Sequence, residues 1–485
     1  MRIESKIPMA YGDSFDTLST IEQDLVTLAF GVDMLTGADA MAPSGKDHMI
    51  VDSWTSGMEA PPIYSDPIAV QLREAGAADD LDPEKVKAFI AKFELYDLPR
   101  RIKSQIDSLD EGRREYFSHM TEALGVMLRA LDPNEDIPSF EERYIASTRL
   151  ESVELVDAEP YRQALQEALD QAGYAITPDK TLRDLVKEWQ DSQGFVGAKE
   201  EGDIDGQVVK ERFEAIMTRL FELARENLFS QMDFGIPGYE PDLSDVSFEG
   251  FEFIPISNEK FTGSSAYQGG GKEAPELRGI LEYNTDHPLT PTQLVYLVSH
   301  EAAIGHYFAS MIQDLLWRAG KLPFEATLNL MCSPQAALHE GWAENVLTLI
   351  FGSKEKALEE LEREFGVNKA DLQIAAALDD LQAVGKHNVS ILYQRDGKSL
   401  EEVREYVAEE LLQHEAIVEK LAGYWTQHSI IGPMYGSVYG LGKRVVAGAI
   451  DHVGIVPATH AILQTHGRMM DIQTFREMIS HTSMI

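Results

Sequence analysis

The chain has one cysteine, Cys332, among 485 residues. That excludes an internal disulfide framework, and any bound metal would have to rest on histidine and carboxylate ligands. Basic residues are scarce, with 42 Lys+Arg against 81 Asp+Glu and a formal net charge of −39. A surface so negative repels phosphate backbones and anionic headgroups, so neither nucleic acid nor a membrane is an expected partner. Long apolar runs are also missing. No window approaches the roughly 20 uninterrupted apolar residues that cross a bilayer. The opening MRIESKIPMAYGDSFD has no signal-peptide core. The expected location is cytoplasmic. There is no internal repeat, no low-complexity tract and no signal for an oligomeric state.

What is present suits a large globular body. Hydrophobic residues make up 44% of the chain and aromatics 9%, and the length exceeds the roughly 250–300 residues at which one core stops growing. Two lobes are expected, a helical one over 1–243 and a second over 244–485. Between Asp82 and Met232, segments such as REYFSHMTEALGVMLRAL and FEAIMTRLFELARENLF space apolar residues three and four apart, the helical period. Near Asp245 the period changes to alternation. VSFEGFEFIPI and ELRGILEYN, on either side of the Gly-rich YQGGGKEAP, read as short strands of a small sheet within 244–284. Helices then return. Thr290, Pro291 and Gln293 form a capping box for a helix through LVYLVSHEAAIGHYFASMIQDLLWRAG, ending near Gly320. Ser333 and Pro334 are expected to start a second helix through ALHEGWAENVLTLIFG to Gly352. Ser399 and Glu402 open SLEEVREYVAEELLQHEAIVEKLAGYW. The fold class is mainly α with a minor β element.

The chemistry concentrates in His300-Glu301-Ala302-Ala303-Ile304-Gly305-His306. Without thiolates, zinc takes imidazole and carboxylate ligands, with three protein ligands at a catalytic site. In HExxH enzymes two histidines four apart share a helical face, and the intervening Glu is the general base. Here the second histidine comes six residues after the first, about 240° around the helix and about 9 Å along it. No regular helix can aim both at one ion, so the reading requires a distortion between Glu301 and His306. Gly305 and a local bulge are the means available. Glu340 and Glu344 stand four apart on the second helix and share a face. Glu340 is the expected third ligand, and Glu344 the acceptor for the far N–H of a ligand histidine. His339 should point away. A histidine inside an apolar helix is usually a satisfied core residue, but two histidines and a carboxylate buried together are costly without a partner such as a metal.

These residues resemble a known family. HEAAIGHYF is similar to the HExxPGHH signature of a large bacterial family of predicted zinc metallopeptidases carried as a domain of unknown function. That family is distantly similar to Taq-type carboxypeptidases and other His-His-Glu zinc peptidases. YQGGGKEAPELRGILEYNT resembles its strand region, HEGWAENV its EGWALYAE segment, and GPMYGSVYGLGKRVV its Gly-rich Tyr-x-x-Gly helix. The likeness covers roughly 265–450. Dipeptidyl peptidase III, with its own lengthened HExxxH motif and a Glu-x-x-x-Glu helix, offers a second analogy. The resemblance implies a multi-helix metallopeptidase-like body with its small sheet beside the active-site helices. It implies one zinc per chain held by His300, His306 and Glu340, Glu301 as general base, and Tyr439 near the oxyanion. Tyr435 and Lys443, on Tyr439's face, are candidate substrate-binding residues, as are Tyr267 and Asn284 beside the cleft. Ile304 stands where the family has Pro, and Tyr307 where it has a second His; His387 and Asn388 match its downstream Asp…His segment only loosely. The expected activity is zinc-dependent hydrolysis of a peptide or peptide-like substrate. The rival readings are a metal-dependent hydrolase of another small amide or ester, and a degenerate, non-catalytic helical binding protein.

Overall fold

Capping chemistry sets many of the helix starts. Thr290 accepts from the Gln293 amide at 3.2 Å while the Gln293 side chain accepts from the Thr290 N–H at 3.0 Å, as expected. Ser399 and Glu402 form the same box, and so do Ser19 with Glu22 and Ser139 with Glu142. A computed structural model describes residues 14–42, 44, 47–75, 81–199, 204–234, 250–259, 263–269, 277–413, 415–463 and 470–482. The Gly-rich stretch 270–276 and the first residues of the expected strand at 246–249 lie outside that set.

The fold is mainly α with small sheets. The helices that build the site region are α1 (Thr20–Met34), α2 (Glu111–Leu131), α3 (Gly206–Asn227), α4 (Pro291–Val298), α5 (His306–Arg318), α6 (Ala336–Phe351), α7 (Lys369–Ser390) and α8 (Val438–Val453). Strands β2 (Phe251–Ile256), β3 (Gly263–Gly269) and β4 (Arg278–Asn284) form a sheet in the order β2-β4-β3, parallel on one side of β4 and antiparallel on the other. Strands β2 and β4 are the ones their alternating residues announce, whereas β3 carries no such signal, and Tyr267–Gly269, expected in the Gly-rich turn, belong to it. A second, two-stranded sheet pairs β1 (Val51–Trp54) with β5 (Leu328–Leu330), far apart in sequence and without a comparable signal.

One hydrophobic cluster runs from Ile21 to Ile479. Contacts cross residue 243 freely: Arg113 on α2 grips Glu325 with two hydrogen bonds of 2.7 and 2.9 Å and reaches Glu22 on α1 at 2.7 Å. Among the described residues no helix is long and apolar enough to cross a membrane.

Two expected helices are corrected. The second site helix starts at Ala336 after Gln335, not at Pro334, because the Ser333 hydroxyl donates back to the Leu330 carbonyl at 2.6 Å and is spent on a turn. The stretch from Ser399 to Trp425 is not one helix. It breaks after Glu410, where Leu412 takes a left-handed φ of 56°, and its halves contain π-helical turns.

Candidate metal centre

The long helix expected from Thr290 to Gly320 is interrupted where two histidines would need it to be. After α4, Ser299–Ala303 form a π-helical turn, and Ile304 (φ −143°, ψ −2°) and Gly305 (φ −76°, ψ −137°) leave the helical region before α5 starts at His306. Gly305 is required by close approach. A Cβ there would stand 1.6 Å from the His300 carbonyl oxygen. The break frees the Ile304 carbonyl, and the buried Trp342 indole N–H fills it at 2.6 Å. No spacing rule singles out Trp342.

This distortion turns both imidazoles toward one point. His300 Nε2 and His306 Nε2 lie 3.2 Å apart. Glu340 Oε2, from the facing α6, lies 3.5 Å from the first and 3.6 Å from the second. Ligands at 2.0–2.2 Å from a tetrahedral zinc would be separated by about 3.3–3.6 Å, so the three atoms have close to the spacing of one face of such a site. Glu340 is nearly inaccessible, its Oε1 accepts from the Tyr435 hydroxyl, and its Oε2 has no hydrogen-bond partner. The imidazole pair alone would suit an N–H···N hydrogen bond. That arrangement would leave a carboxylate oxygen buried beside two nitrogens too distant for a good bond, at a cost of about 1–3 kcal/mol or more. A cation removes the difficulty. A carboxylate oxygen of Glu301 lies within 4.8 Å of both imidazoles.

The electrostatics favour positive charge here. Burial opposes protonation of His300, but the Glu340, Glu301 and Glu344 carboxylates outweigh it and push its pKa up to about 9. Burial likewise works against ionised Glu340, yet the two imidazoles hold its carboxyl well below the usual range.

Glycines bring the supporting helix into place. A Cβ on Gly442 would stand 1.9 Å from the Ala337 carbonyl, and one on Gly341 would stand 2.5 Å from the Gly442 carbonyl, so α6 and α8 touch backbone to backbone. Asn345 ties them, donating to the Gly341 carbonyl at 2.8 Å and the Lys443 carbonyl at 3.0 Å. This contact carries Tyr435, Tyr439 and Lys443 to the edge of the cluster. Tyr435 and Tyr439 hydrogen-bond to each other, and Lys386 of α7 covers the Tyr439 ring at 3.4 Å. Glu344 Oε1 lies 3.5 Å from His300 Nδ1, on the side away from Nε2.

Four residues read as substrate-binding are engaged otherwise. Asn284 is fully buried, and its amide donates to the Glu259 carbonyl at 2.6 Å while its oxygen caps Asp286. Tyr267 is buried, and its hydroxyl donates to Asp314 at 2.8 Å, next to the buried Asp314–Arg318 pair. The Tyr435 hydroxyl is committed to Glu340. Lys443 is surrounded by carboxylates. Tyr307, which replaces the second histidine of the signature, is a core residue whose hydroxyl donates to the Leu277 carbonyl at 2.6 Å. His387 and Asn388 serve other contacts, His387 bridging Ser437 and the Glu154 carbonyl, and Asn388 accepting from the Val156 N–H.

No family model matches the chain, and no curated protein sequence matches it. The resemblance to the HExxPGHH family is therefore carried by its motifs alone. Solved structures with a distant likeness to this chain include a candidate lipoprotein from Colwellia psychrerythraea (13% identity over 84% of this chain and 71% of that one, TM-score 0.49). A candidate lipoprotein of unknown function from Shewanella oneidensis has 11% identity over 97% and 89%, with a TM-score of 0.45. Metallocarboxypeptidase 1 of Trypanosoma cruzi has 13% identity over 96% and 95%, with a TM-score of 0.41. Likeness this distant says nothing about chemistry. The side chains must speak for themselves, and they present a donor set that suits a metal ion.

Proposed function

We propose that the protein is a zinc-dependent hydrolase that cleaves peptide bonds. The observation that carries the metal is Glu340 Oε2, buried and unpartnered, converging with two histidine nitrogens that only a broken helix can bring together. Histidine and carboxylate donors with no thiolate suit zinc, and three protein ligands leave a position open. A bound zinc ion would supply Lewis acidity toward a carbonyl and toward water.

The chain's own groups have distinct tasks. Glu301 takes the proton of the attacking water and hands it to the leaving amine. Tyr435 holds Glu340 with Oε2 turned toward the histidines. Glu344 orients His300, and the Tyr439 hydroxyl stands near the developing oxyanion. A peptide substrate is supported by β3, one of the two edge strands of its sheet, where the Ser265 hydroxyl meets the Glu301 carbonyl at 3.4 Å. An extended chain could add to such an edge.

The test has two parts. Wild-type protein reconstituted with zinc should retain one equivalent, and His300→Ala should lose it. Less than one equivalent, with no loss in His300→Ala, would favour a structural helical protein. A mixed-peptide digest read by mass spectrometry should then show cleavage by the wild type. Glu301→Gln should keep its zinc but lose at least about 100-fold in rate. A zinc-loaded protein that leaves every peptide intact would point to another amide or ester.

A further inference from the structure

Lys443 has the setting of a support, not of a substrate ligand. Its ammonium lies 3.1 Å from Glu344 Oε2, 2.8 Å from Asp380 Oδ1 and 3.8 Å from Asp379 Oδ2, so α8 supplies a cation to α6 and to α7 at once. Glu344 faces Lys443 with one oxygen and His300 Nδ1 with the other. The line therefore runs from Asp380 through Lys443 and Glu344 to His300, whose Nε2 faces Glu340 and His306. Its position is enforced from behind, because Gly442, the preceding residue, touches the backbone of α6, and the Lys443 carbonyl is held by Asn345.

We propose that Lys443, clamped by Asp380, is a positioning residue for the metal centre, holding the Glu344 carboxylate against His300 Nδ1 and so presenting the Nε2 lone pair. This rests on the metal-centre reading above and adds to it a dependence on α7 and α8, which contribute no ligand. The physical need is plain. Glu344 can accept the Nδ1 proton only if its carboxylate stays in place, and it shares the Lys443 ammonium with the half-buried Asp380 and the exposed Asp379. Lys386 also acts on Glu344 and Asp379, but Lys443 is the cation in contact with all three carboxylates, and without it their mutual repulsion pushes Glu344 off His300.

The experiment is zinc affinity, measured by competition with a chromophoric chelator on the full chain. It compares wild type, Lys443→Met, Lys443→Arg, Asp380→Asn and Glu344→Gln, with circular dichroism and thermal melting as fold controls. Lys443→Met should bind zinc about 10–100-fold more weakly, the range for lost support of a ligand histidine. Lys443→Arg should recover most of that loss. Adding Lys443→Met to Glu344→Gln should change nothing further, since the lysine acts through that carboxylate. The visible spectrum of the cobalt-substituted protein should shift in Lys443→Met and return in Lys443→Arg. Folded Lys443→Met with zinc affinity within twofold of wild type would overturn the inference while leaving the metal centre intact. Wild type that binds no zinc would overturn both. If Lys443→Met does not fold, Asp380→Asn decides: weakened binding supports the clamp, and unchanged binding refutes it.

Discussion

Glu340 and Asp33 show how the same burden is met in two ways. Each is a buried carboxylate with one oxygen hydrogen-bonded and the other without a partner. At Glu340 the neighbouring imidazoles keep the charge. Asp33, on α1, accepts from the Ile50 and Val51 amides at 2.9 Å each, but burial dominates and its pKa rises from 3.8 to about 6. A raised folded-state pKa makes the contribution of this group most favourable below the unfolded value near 4. That contribution is lost as pH rises through about 6, at a cost of about 3 kcal/mol. Asp33→Asn keeps an acceptor oxygen for both amides and has no charge to bury. It should match wild type near pH 4 in urea unfolding and exceed it by up to about 3 kcal/mol at pH 7.5. A difference that does not change with pH would show that Asp33 titrates normally.

The interrupted helix is the element that makes the site. An unbroken α-helix would place the two imidazoles on different faces; the π turn and the Ile304–Gly305 kink turn them together. The need for a break was legible from the six-residue spacing and from Gly305. Its form was not, because it depends on Trp342 from another helix to satisfy the freed Ile304 carbonyl. Gly305→Ala separates the two cases. In a regular helix interior the change would stabilise by about 0.5–1 kcal/mol. Here the added Cβ collides with the His300 carbonyl, so the melting temperature should fall, with at least about 100-fold loss of activity as the histidines are misplaced. A melting temperature raised by the substitution would contradict the kink.

At the scale of the whole molecule, one large apolar cluster and an excess of negative charge oppose each other. The core joins the N-terminal helices to those carrying the site, while the formal charge of −39 pushes the folded chain apart. Screening should relieve that. Raising salt from about 0.01 M to about 1 M shortens the Debye length from about 30 to about 3 Å, and the melting temperature should rise by a few degrees in a sodium chloride series. A steady fall would mean that surface ion pairs such as Arg101–Glu94 outweigh the net repulsion.

The helical class, strands β2 and β4, two capping boxes and the candidacy of His300, Glu301 and His306 on one stretch and of Glu340 and Glu344 on another were legible in the sequence itself. Each follows from local periodicity, capping or spacing along one element. What only the tertiary structure decided is which groups answer one another across elements. It commits Tyr267 and Asn284 to internal bonds, spends Tyr435 on Glu340, encloses Lys443 among three carboxylates, and lets α8 press against α6 through glycine backbones. Such pairings join residues up to about a hundred positions apart or more, whose meeting is set by packing of the whole chain, and no local pattern records them.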